Sequence, residues 1–76
     1  MQTRSKIIES LIENLETHDK RYMFLKLLFP KTLPFINIEG SANETSYQIY
    51  FEFEKRNLVT ELVSKLNEHF NSNIEN

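Results

Sequence analysis

The single glycine and both prolines of this 76-residue chain, Pro30, Pro34 and Gly40, lie between residues 30 and 40. Chain-breaking chemistry is therefore concentrated in one place, and the sequence divides once, in its middle. With no internal repeat, low-complexity tract or linker, residues 1–76 read as one domain. A chain this short buries roughly 60 % of the surface its unfolded form exposes, so any rigid cavity it builds is small.

Before the break, Ile7, Ile8, Leu11, Ile12 and Leu15 fall within an arc of about 140° at 100° per residue, with charged residues outside it, which predicts a surface helix. Thr17-His18-Asp19 follows, and Asp19 is the expected N-cap of a second helix running to Pro30. Tyr22 to Phe29 is apolar except for Lys26, so this helix is expected to be buried rather than to carry an exposed apolar strip. At the other end, Leu58, Val59, Leu62, Val63, Leu66 and Phe70 share one arc and predict a last helix ending near Asn71, with fraying residues after it.

The middle admits two readings. Ile36 and Ile38, then Tyr47, Ile49, Phe51 and Phe53, alternate with polar residues as a half-buried strand pair does. Against a hairpin stand the long connection from Gly40 to Ser46 and the capping-box pattern Ser41-Ala42-Asn43-Glu44. The helical alternative runs from residue 42 to 56, about four turns, with Asn57 suited to the left-handed conformation that closes it. It places Tyr47, Tyr50, Phe51 and Glu54 on one face and Ile49 and Phe53 on another, both needing neighbours. Helix is favoured, and Pro34 suits the first position of a short helical turn through Phe35 to Ile38.

The chain has no cysteine, which removes disulfides, thiolate metal sites and cysteine nucleophiles and permits a reducing compartment. Tyr22 to Phe29 is far short of the roughly 20 apolar residues that cross a bilayer, and the first residues do not form a secretory signal, so cytoplasmic residence without membrane contact is expected. His18 and His69 lack metal-ligand spacing, the former reading as a solvated or capping residue and the latter as partly buried. The serines lack a G-x-S-x-G context, Gly40 alone builds no phosphate loop, and pairs such as Glu9/Glu13 and Glu52/Glu54 read as a solvated surface. The expectation is a protein that is not an enzyme and carries no cofactor or metal.

Nine basic and eleven acidic residues leave a net charge of −2, against the basic field that nucleic-acid binding needs. The charges are nevertheless segregated along the chain. Residues 20–31 carry four positive charges and no negative one, whereas Glu39, Glu44, Glu52 and Glu54 fall in a stretch, 39–54, with no positive one. Opposite patches on one domain favour association between copies, and a heterologous contact that does not close propagates.

The stretch Ile36-Asn37-Ile38-Glu39-Gly40-Ser41-Ala42, then Tyr47 with Ile49, Asn57-Leu58, Leu62-Val63, and Phe70 with Asn73, resembles the C-terminal two-thirds of the bacterial effector-associated, death-like domains. The similar spacing covers residues 33 to 73, and the two preceding helices agree in length and order. Three positions depart: Tyr47 stands where the family usually has Trp, Asn57 where Gly is common, and Asn71 where Pro commonly follows the aromatic. Tyr47 would keep the role of an aromatic core anchor and Asn57 that of a left-handed cap, while Asn71 weakens the match at the terminus.

The resemblance implies an all-α, death-fold-like bundle of five or six antiparallel helices, and a recruitment domain that binds another copy of its fold to cluster effector modules in bacterial defence. On this reading the partner is another death-like domain, on the same chain type or fused to an effector, in a homo-oligomer or filament. Lys20, Arg21 and Lys26 are the expected basic contact patch and Glu44, Glu52 and Glu54 the acidic one. The alternative is a small α+β nucleic-acid-binding regulator using the basic second helix. A binding assay with duplex and single-stranded DNA discriminates the two functions, and far-ultraviolet circular dichroism the two folds.

Overall fold

The computed structural model of the chain describes residues 2–74. Of the four α-helices, α1 (Gln2–Asn14) and α2 (His18–Leu28) are joined by a short turn, as are α3 (Ala42–Lys55) and α4 (Val59–Phe70), while a longer segment, 29–41, links α2 to α3 and holds a 3₁₀ turn at Leu33–Phe35. Among the described residues there is no strand: Tyr47 to Phe53 lie in α3, Ile36 and Ile38 lie in the irregular segment before it, and the hairpin is excluded. The expected all-helical bundle is present with four helices rather than five or six: the turn expected from Pro34 to Ile38 is a single 3₁₀ turn, Leu33–Phe35, with Pro34 at its second position, and Ile36 is already extended.

The three helices α1, α3 and α4 pack on one another, and α2 with the 3₁₀ turn closes one side. Ile7, Leu11, Leu15, Leu25, Ile49, Phe53, Leu62, Val63 and Leu66 are almost wholly removed from water. An aromatic line ties α2 to the rest. Phe24 packs on Phe70 and on Phe29, each at 5.9 Å between ring centres, and Phe29 meets Phe53 edge-on at 4.7 Å.

Helix ends follow from local chemistry. The N-cap of α2 is Thr17, whose Oγ1 accepts the Lys20 N–H at 3.2 Å, and not Asp19, which lies inside the first turn where its charge complements the helix dipole. The helix ends at Leu28 with Phe29 as its non-helical cap, because Pro30 disfavours the α region for the residue preceding it. At α3 the capping box is complete: the Ser41 hydroxyl accepts the Glu44 N–H and the Glu44 carboxylate accepts the Ser41 N–H. Its far end is a Schellman closure. Asn57, at φ 59°, donates to the Glu54 carbonyl, and the Leu58 N–H reaches back to the Phe53 carbonyl at 2.8 Å.

Past α4 the chain does not fray at once. Asn71 adopts the left-handed conformation, Ser72 and Ser10 hydroxyls lie 2.6 Å apart, and Ile74 is buried. Residues 75 and 76, also expected to fray, lie outside the described residues.

Candidate interaction surfaces

Arg21 was expected at the surface and is only 4 % exposed. It recurs with Phe24, Leu25 and Leu28 at i, i+3, i+4 and i+7, the inward stripe of α2, so helix geometry carries it inside. Its Nη1 donates loosely to the Leu15 carbonyl at 3.5 Å and its Nη2 to the Gly40 carbonyl at 3.3 Å, while Nε has no partner. No basic residue occupies the last turn of α1, and Arg21 places a cation there from the neighbouring helix. Arg21 therefore staples the end of α1 to the loop before α3.

Lys20 and Lys26 are exposed but do not adjoin: six residues apart, they point about 120° from one another around α2. Lys20 pairs with Glu16 at 3.4 Å, and the Lys26 ammonium lies 5.3 Å from the centre of the Tyr22 ring. The nucleic-acid alternative rested on a hairpin and on a basic face of α2. The first is replaced by helix, and the second lacks its arginine.

The expected acidic residues are largely engaged. Glu44 serves the capping box. Glu54 takes Arg4 at 3.3 Å and the Tyr50 hydroxyl at 3.1 Å. Glu52, expected to face solvent, has a side chain only 14 % exposed, bridged to Arg56 and, at 3.8 Å, to Lys55. The hydrogen bond from Arg56 holds the Glu52 carboxyl below its ordinary range, aided by the neighbouring cations against the opposing effect of burial. Charge that is segregated along the chain is thus partly neutralised in space.

The histidines are equally ordinary. His18 sits between Glu39, at 3.0 Å, and Asp19, at 3.7 Å, and His69 is exposed rather than partly buried. Among the described residues no group of three or more His, Cys, Asp or Glu could hold a metal ion, and no helix is long and apolar enough to cross a membrane.

What the surface offers instead is apolar. On α2, Met23 is 50 % and Leu27 68 % exposed, beside a groove of about 520 Å³ walled by Leu15, Phe24, Leu28 and Phe70 and rimmed by Glu13, Asn14, Lys20 and His69. The expected burial of α2 therefore holds for Phe24 and Leu25 but not for this strip. On α3, Tyr47 and Phe51 are about half exposed, their rings nearly parallel at 22° and 6.4 Å apart. Tyr47 is consequently not a core anchor; Tyr50, three residues on, is the buried tyrosine. Arg4 lies 5.5 Å from the Tyr50 ring and 5.7 Å from Phe51, and Arg56 caps Phe35 at 4.4 Å. The two surfaces share no residue. Their sequence signal was the helical stripe itself: once Phe24 and Leu25, or Ile49 and Phe53, face inward, Met23 and Leu27, or Tyr47 and Phe51, face out.

No family model matches the chain, and no curated protein or solved structure does either.

Proposed function

We propose that this chain is an interaction domain that associates with other copies of its own fold and thereby clusters the effector modules joined to it or recruited by it. That is the role expected of the bacterial death-like domains whose spacing it resembles. The observation that carries the reading is the exposure of Met23, Leu27, Phe35, Tyr47 and Phe51 on a domain this small. Large apolar side chains gathered on a surface are stabilised by being covered, at roughly 25 cal/mol for each Å² removed from water.

The test is the mass of the full chain by light scattering across a concentration series. Growth beyond the 9.1 kDa monomer is expected. A single monomeric mass up to millimolar concentration would overturn the reading. Leu27→Glu and Phe51→Glu, at exposed positions, then report which surface is covered.

A further inference from the structure

We propose that the exposed face of α2 pairs with the same face of a second copy, antiparallel, about a two-fold axis. This deepens the self-association reading above and rests on it. Charge is polarised along the helix. Around its N-terminal end stand Glu13, Glu16, Asp19 and, against His18, Glu39, with Lys20 and the buried Arg21 among them, a net of two negative charges. From Lys26 to Lys31 there are two positive charges and no acid. Glu13, Lys26 and Lys31 have no ion-pair partner among the described residues, so they are available to another molecule.

Between these ends lie Met23 and Leu27, only 40° apart around α2 at about 100° per residue. A second copy laid antiparallel covers this apolar centre and sets each acidic end against a basic one, at both ends at once. A parallel copy sets like charge on like, which opposes docking. The arrangement is isologous and therefore closes at two copies.

The dimer is expected to be weak: at the ~10 % of surface that interfaces of small proteins typically cover, a chain of 4915 Å² would bury about 490 Å² a side, below the roughly 800 Å² per partner of a standard stable interface. Such a contact is populated at high concentration or where copies are already held together, which suits a clustering domain.

Sedimentation velocity and native mass spectrometry of the full chain test the arrangement, with far-ultraviolet circular dichroism establishing that each variant is folded. The wild type is expected to reach a dimer and grow no further, with dimerisation weakened about tenfold between 50 and 500 mM NaCl. Leu27→Glu is expected to be monomeric and Phe51→Glu to remain dimeric. The double variants K26E/K31E and E13K/E16K should each be monomeric, and their mixture should form a 1:1 heterodimer. Association of the wild type that persists in Leu27→Glu, continues past two copies, or leaves the mixed variants unpaired overturns the antiparallel pairing while self-association stands. A wild type that stays monomeric at millimolar concentration overturns both.

Discussion

Asn67 holds the backbone of Ile74 from both sides: its Nδ2 donates to the Ile74 carbonyl and its Oδ1 accepts the Ile74 N–H, each at 2.8 Å. A side-chain amide carries a donor and an acceptor side by side, and so pairs with a residue's N–H and C=O together as a neighbouring strand would. The buried Ile74 side chain and this pair of bonds together fasten the segment after α4 to the bundle. Asn67→Ala is expected to lower stability by about 1–2 kcal/mol, since the freed backbone groups recover water. Amide exchange at Ile74 should accelerate far more than at Leu62. Unchanged exchange at Ile74 would mean that apolar packing alone secures the tail.

Arg21 supplies a sharper contrast. Its charge is buried against two carbonyls with long hydrogen bonds and no ion-paired carboxylate, so desolvation offsets much of what those bonds contribute. Arg21→Met, which keeps the volume and discards the charge, is expected to change stability by less than about 1.5 kcal/mol. Arg21→Glu aims a carboxylate at the same two carbonyls and is expected to cost more than about 3 kcal/mol, a large part of the stability of a domain this size. Urea unfolding followed by circular dichroism compares the two. A folded Arg21→Glu chain with near-normal midpoint would show that the guanidinium lies at the surface in solution.

Features set by neighbours in sequence were legible. The Ser41/Glu44 box, the left-handed Asn57 and the apolar arcs of α1 and α4 follow from side chains within a turn of one another. The segment from Tyr47 to Phe53 was ambiguous because its apolar residues satisfy a period of 2 and of 3.6 together. Thr17 and Asp19 are both capping types, and only the backbone geometry selects the threonine. The site residues were less legible for a different reason. Which stripe of α2 turns inward depends on where Phe70 and Phe53 stand, and the neutralisation of Glu54 depends on Arg4, fifty positions away. Residue type suggested that Arg21 belongs in water, and its register with Phe24 and Leu25 decided otherwise.

The acid limb of the stability curve should contain a contribution from Glu52. Its folded carboxyl titrates below the ordinary value of 4.5, chiefly because Arg56 donates a hydrogen bond to the ionised form. The unfolded chain therefore binds this proton first as pH falls. The contribution is present above the ordinary glutamate range and is lost as pH drops through it to the folded value. Glu52→Gln should flatten the fall in stability below pH of about 5 relative to wild type, and Arg56→Gln should do the same. Thermal midpoints measured from pH 7 to pH 3, compared among the three chains, check this. Parallel curves would show that the Glu52–Arg56 bridge is not maintained in solution.

Asn57 carries the one left-handed residue between two helices of the core, at φ 59°, and its conformation lets the Leu58 N–H turn back onto Phe53. Left-handed backbone costs an ordinary L-residue roughly 1–2 kcal/mol, less for asparagine, and nothing steric for glycine. Asn57→Ala is thus expected to destabilise by about 1 kcal/mol, because the Schellman closure demands the conformation whatever the side chain. Asn57→Gly removes the strain and adds freedom to the unfolded chain, two effects of similar size and opposite sign, so it should lie within about 0.5 kcal/mol of wild type. The order Gly ≈ Asn above Ala, read from urea midpoints, is the signature of a left-handed cap. An alanine variant as stable as wild type would mean that the turn between α3 and α4 does not require a left-handed backbone at residue 57.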